Sequence, residues 1–310
     1  MKFGTIEDMK KDEGLKVVRY VLFGNIFLAL LKGTVGLLTE SAALKADAVN
    51  SAGDVVTSIV VMLALRYALK PRDEGHHYGH GKMEALVSLA VGAMILVSTG
   101  FLLRDVVLSI INGIAAPPSF LALGVAAVSI AAKSVMFKVT YSTGKRLASI
   151  ALVTNAKDHR NDIVATAGAV IAILLSFLGQ TINSPALLIY SEPVVAALIS
   201  ALIIKTAVEI IAAACRMLLD AAPEKETIEG MKLTADGVEG VIKTDWVKCR
   251  AMGRGLLVDL AIQVSGSITV EKGHGIGDAV AAAVMQSNPQ VLDVLVHINP
   301  EERDMRLLTR

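Results

Sequence analysis

The sequence predicts an α-helical membrane protein: a bundle of six transmembrane helices, then a small α/β domain with element order α–β–β–α–β. Three observations predict it. Of the 310 residues, 54% are hydrophobic and 19% are charged, against about 25% charged in an ordinary soluble domain. The mean hydropathy is +0.59, high for a water-soluble chain. Six stretches reach the ~20 apolar residues needed to cross a bilayer. After about Asp220 the chain turns charged, and its apolar period shortens. We therefore expect a transmembrane domain over 1–219 and a cytoplasmic domain over 220–310.

The spans are expected at about 15–38, 42–69, 84–108, 120–140, 149–178 and 187–213. The N-terminal stretch MKFGTIEDMKKDEGLK is mixed in charge and lacks a small-residue cleavage site, so it reads as a cytoplasmic tail. Orientation follows from lysine and arginine near the span ends. Lys10, Lys11, Lys16 and Arg19 cluster at the start of span one, and Arg66, Lys70, Arg72 and Lys82 cluster at the end of span two and beyond it. Lys138, Lys145 and Arg146 lie at the end of span four and in the turn after it, whereas the opposite loops at 112–118 and 179–185 carry no basic residue. Both termini are thus expected in the cytoplasm, which an even number of spans requires. The small residues Gly92 and Ala93, and the run from Ala165 to Ala172, read as sites of close helix packing.

In the terminal domain, 224–235 reads as a helix, and 241–249 and 256–264 as strands joined by a turn at 253–255. A second helix is expected over 270–285 and a third strand over 291–298. At roughly 90 residues this domain is near the low limit for an independent core, and oligomerisation would help it.

The net charge of +1 gives no case for nucleic acid as a partner. Two cysteines without close spacing, Cys215 and Cys249, exclude a disulfide framework or a cysteine zinc finger.

The chemistry lies in the spans. Span two holds ADAVNSAGDV, with Asn50 and Asp54 four residues apart, and span five holds NAKDHRNDIV, with Asp158 and Asp162 at the same spacing. Residues at i and i+4 share a helix face. An ionisable group inside a span costs about 2.5–3.5 kcal/mol on insertion scales, so two such pairs ask for a shared reason. If helices two and five adjoin, four oxygen-bearing side chains converge as a site for a divalent ion. Oxygen donors suit Mn²⁺, Mg²⁺ or Fe²⁺, and the lack of His or Cys argues mildly against a dedicated Zn²⁺ site. Asp47 and His159 lie off that face and read as supporting residues. The competing account is two unrelated polar pairs that stabilise their helices.

The loop KPRDEGHHYGHGK places Asp73, His76, His77 and His80 within eight residues, a second candidate metal site or else a solvated polar loop. In the terminal domain His274 and His297 are plausible ligands, with structural roles equally open.

The stretches SAALKADAVNSAGD, KPRDEGHHYGHGKMEAL, NAKDHRNDIVAT and LVHINP together resemble the hallmark segments of the cation diffusion facilitators, over nearly the whole chain. The resemblance implies a six-span bundle followed by a metallochaperone-like cytoplasmic domain. It implies a homodimer, a multi-pass protein of the cell membrane (in a bacterium, the inner membrane), that exports divalent metal in exchange for protons. It implies a transporter and not an enzyme, with the metal ion as substrate and no cofactor. It carries the transport site onto Asn50, Asp54, Asp158 and Asp162, the loop site onto Asp73, His76 and His80, and a charge lock onto Lys82 and Asp220. His77 stands where the family has no fixed ligand.

The departures bear on the metal. Zinc-transporting members typically have His or Asp where Asn50 stands and His where Asp158 stands. The Asn-Asp-Asp-Asp quartet is similar to that of manganese exporters and of some iron-linked magnetosome members. In the terminal domain a binuclear zinc site would fall on Asp245, His274 and His297, but Ala261 and Asn299 break its ligand set. The expectation is a metal/proton antiporter favouring Mn²⁺, with Fe²⁺, Zn²⁺ or Cd²⁺ open. The alternative is a non-transporting membrane assembly protein of the same fold. An intramembrane aspartyl protease also pairs membrane aspartates, but its motif contexts are not seen.

Overall fold

A computed structural model describes residues 3–38, 42–68, 70–112 and 120–301. Contacts divide the chain into two compact units, Met1–Cys215 and Arg216–Arg310, with the division inside the last turn of the sixth helix.

The first unit is built of α1 (Phe3–Leu38), α2 (Ala42–Ala68), α3 (Met83–Asn112), α4 (Phe120–Arg146), α5 (Ile150–Thr181) and α6 (Pro185–Leu218). All six are long and apolar enough to cross a membrane. Several run past the apolar stretch that marks the span. α1 begins at Phe3 and α4 continues through the polar segment YSTGKR to Arg146. Hydropathy locates the hydrocarbon slab, and helix propensity carries the backbone beyond it. Pro185 opens α6, where its missing N–H costs nothing, and Pro193 sits inside the helix as membrane helices tolerate.

α1 lies along α2, α4 lies along α5, and α2 and α5 touch each other. The interior joins Val18, Val61, Leu65, Val91, Ile95, Leu152, Ile203 and Ile210. Phe23, Phe27, Phe101, Val135 and Leu198 point outward, as suits lipid. Gly92 lets α3 approach α6: a Cβ there would stand 2.8 Å from Ile211 Cγ1, too close for any side chain.

The second unit holds α7 (Lys225–Asp236), β1 (Lys243–Met252), β2 (Gly255–Val264), α8 (Val270–Ser287) and β3 (Val291–Pro300). The sheet order is β1-β2-β3, with β1 antiparallel and β3 parallel to β2. The parallel pair needs a crossover, which α8 supplies. β2 is central and nearly all buried, so it reads as an almost unbroken apolar run. Gly253, with φ +61°, makes the tight turn between β1 and β2. β1 starts two residues later than its apolar run because the Val241 N–H donates to the Val238 carbonyl in a turn. Met231, Ala235, Leu260, Ile262, Val280 and Val284 form the core between helices and sheet.

Candidate metal centres

Asp54 lies on the buried face of α2. Fully buried Asn25 of α1 fixes this turn: its Nδ2 donates to Ser58 Oγ at 2.9 Å and to the Asp54 carbonyl at 3.4 Å. The Ser58 hydroxyl donates to the same carbonyl at 2.8 Å. On α5, Asp158 and Asp162 are half-buried one turn apart. Arg160 ties α5 to α6 by donating to Thr206 Oγ1 at 2.9 Å.

Between the two helices stands a residue that the sequence reading passed over. Lys133 of α4 is 3% exposed, and its Nζ donates to Asp54 Oδ2 at 2.7 Å and to Asp162 Oδ2 at 2.6 Å. One ammonium thus joins α2, α4 and α5. Burial of these charges is tolerable because each is paired and hydrogen-bonded. The signal was present, since a lysine midway along an apolar span demands a counter-charge as an aspartate does.

The described geometry differs from four oxygens closing on one point. Among the described residues the three aspartates do not form a cluster at ligand spacing, because the lysine ammonium stands between Asp54 and Asp162. The side chains of Asn50 and Asp47 lie outside the described residues. His159 and Asn155, one turn apart on α5, are fully buried, and neither side chain finds a hydrogen-bond partner among the described residues.

The loop residues do come together. Asp73, His76 and His80 offer ligand atoms that all lie within 4.8 Å of one another. Asp73 Oδ1 accepts from the His76 backbone N–H at 2.8 Å and from that of Gly75 at 3.1 Å, and stands 3.2 Å from His76 Nδ1. His80 Nε2 stands 3.4 Å from Asp73 Oδ2. His80 is buried against the edge of the Tyr67 ring, and neither of its nitrogens is hydrogen-bonded among the described residues. Desolvation is the largest single influence on Asp73, and it opposes ionisation. The hydrogen bonds from the His76 side chain and backbone, with the nearby imidazoles of His80 and His76, outweigh it and hold the carboxyl below its usual range. Gly79, with φ +86°, turns the loop toward α3. His77 is exposed and outside the group.

The terminal-domain trio does not converge within one chain. Asp245 is the extra residue of a bulge in β1, between Thr244 and Trp246. Its carboxylate accepts from Gln263 Nε2 at 2.7 Å and from Asn299 Nδ2 at 2.9 Å, so it is committed to neighbours in β2 and β3. His274 is exposed on α8, 3.6 Å from Asp278 Oδ2, and His297 is exposed on β3. Burial, then the Asp259 carboxylate, pushes the Cys249 thiol up to about 11, which disfavours a thiolate ligand there. Lys82 precedes α3 in the first unit, and Asp220, with φ +55°, follows α6 in the second.

Comparison with known proteins adds to this geometry. Residues 18–219 match the cation efflux transmembrane domain, and residues 223–301 match the cation efflux protein cytoplasmic domain. The chain is 30% identical over 285 residues to the manganese efflux system protein MneP of Bacillus subtilis (strain 168), covering 92% of this chain and 95% of that one. It is 26% identical over 300 residues to the magnetosome protein MamB of Paramagnetospirillum magneticum, covering 97% of each. A solved nickel form of the MamM CTD is 26% identical, covers 26% of this chain and 100% of that one, and has a TM-score of 0.25.

Proposed function

The chain belongs to the cation diffusion facilitator family of divalent cation efflux transporters, and we propose that it exports Mn²⁺ from the cytoplasm in exchange for protons. It is a multi-pass membrane protein with a cytoplasmic C-terminal domain, and it is not an enzyme. The observation that carries the proposal is the convergence of Asp54 and Asp162, from two adjoining helices, on a single buried cation. A place that holds one cation with carboxylate oxygens in mid-span suits a hard or borderline divalent ion.

In this reading metal reaches Asn50, Asp54, Asp158 and Asp162 from the cytoplasm and leaves on the far side as protons replace it on the carboxylates. Asn50 cannot ionise, so it lowers the charge of the site and withholds the imidazole that zinc prefers. The manganese efflux named for MneP, over most of both chains, supports the choice of metal. Asp73, His76 and His80 form a second site at the cytoplasmic edge, supported by their shared spacing and the unbonded His80 ring. The protein works as a homodimer in the cell membrane, with the cytoplasmic domain contributing to the pairing.

The test is metal-driven proton movement in proteoliposomes with Mn²⁺, Fe²⁺, Zn²⁺ and Cd²⁺, with Asn50→His beside the unmodified protein. A response led by Mn²⁺ that shifts toward Zn²⁺ in the variant is expected. A response led by Zn²⁺ in the unmodified protein overturns the choice of metal.

A further inference from the structure

Three charged groups meet in mid-membrane, and transport chemistry accounts only for the two acids. A structural ion pair needs one acid for one lysine, but Lys133 divides its protons between two acids on two different helices, at 2.7 and 2.6 Å. Divalent ions bind carboxylate oxygens at about 2.0–2.6 Å. An ion held by the carboxylate oxygens that face Nζ therefore needs the space that Nζ fills. The two cations cannot share those oxygens.

We propose that Lys133 is a tethered competitor of the substrate: its ammonium holds Asp54 and Asp162 together until a divalent ion displaces it, and it retakes them as the ion leaves. The inference rests on the transport site proposed above. No proton leaves Lys133 in this exchange. One cation replaces another, and the lysine keeps its charge while its flexible four-carbon stem swings the head aside. Two consequences follow from the charges. Displacing the ammonium weakens metal capture, and its return speeds release. Lys133 is hydrogen-bonded to two of the three acids Asp54, Asp158 and Asp162, and the charge of buried Lys32 on α1 also acts on Asp54. A neutral residue in place of Lys133 leaves the acids less compensated, so a dication binds tighter and leaves more slowly.

Two variants separate this from a structural role. Lys133→Gln removes the competing charge and is expected to lower the apparent KM for Mn²⁺ about tenfold, the equivalent of ~1.4 kcal/mol, and to lower the maximal rate. Lys133→Arg keeps the charge, and so protects the fold if the neutral variant fails to assemble. Its planar fork grips two carboxylates more firmly, so it is expected to raise the apparent KM. Opposite shifts of KM in the two variants are not what loss of packing produces. An unchanged KM in Lys133→Arg, or a KM that rises in a well-folded Lys133→Gln, overturns the proposal. Asp162→Ala run in parallel keeps the two readings apart. If it abolishes transport while the Lys133 variants leave KM alone, the lysine inference falls and the site stands. If Asp162→Ala transports normally, the site itself falls.

Discussion

The Ser149 hydroxyl donates to the Glu84 carboxylate, which joins the start of α5 to the first turn of α3. Ser149 also caps α5 by accepting from the Leu152 N–H at 3.3 Å, and Glu84 is fully buried at this junction. The start of α5 is therefore set by a residue on another helix. Asp158 and Asp162 stand about two and a half and three and a half turns further along, so their depth is set there as well. Ser149→Ala is expected to cost about 1 kcal/mol, the usual worth of an N-cap. Glu84→Ala is expected to cost more, about 2–3 kcal/mol, because it leaves the buried hydroxyl and the Ala151 N–H without their acceptor. Thermal unfolding in detergent ranks the two. An equal loss from both would mean that Glu84 matters only through the cap.

Asp54→Ala and Asp162→Ala are each expected to abolish metal efflux from loaded proteoliposomes while the protein keeps its size-exclusion profile. Each removes a proposed ligand and also frees Lys133 from one of its two partners. Undiminished efflux in either variant counts against the site.

The loop makes a separate prediction. Asp73 keeps its charge to lower pH than an ordinary carboxyl, because bonds made in the folded loop favour the ionised form. What this adds to loop order is present above the usual carboxylate range and is lost as pH falls through the depressed value. His80→Ala is expected to remove about one bound Zn²⁺ per chain in equilibrium dialysis, with Asp54-dependent transport retained. An unchanged count would leave the loop as a polar turn.

Asp245→Ala is expected to destabilise the cytoplasmic unit by about 1–3 kcal/mol, because the Gln263 and Asn299 amides lose their shared acceptor. Bound metal per chain is expected to stay the same. A metal count that falls while the unfolding temperature holds would restore Asp245 as a ligand.

The reach of the sequence differs between these cases for physical reasons. The spans were legible because hydrocarbon demands runs of apolar residues. The elements of the cytoplasmic unit were legible because strand and helix periods differ. The ends of α1 and α4 were not legible, since their polar turns lie where hydropathy carries no information. Asp54 and Asp162 stood out as charges in apolar runs. Lys133 did so equally, but spacing within one helix cannot say which helix faces which, so its two partners were hidden. Asp245 was taken for a ligand from its matching position. The bulge that turns it toward Gln263 and Asn299 depends on strand register, which a single strand does not encode.

The contact of Lys133 with Asp54 and Asp162 also bears on biogenesis. The chain is made from its N-terminus, so Asp54 enters the bilayer first, then Lys133, then Asp162. A lone lysine in hydrocarbon costs about 2.5–3.5 kcal/mol, but α4 arrives where an opposite charge is already waiting. The ammonium then marks the place at which the next helix must dock. Insertion of α2, α4 and α5 is thereby linked by charge, with Lys133 answering Asp54 and Asp162 then answering Lys133.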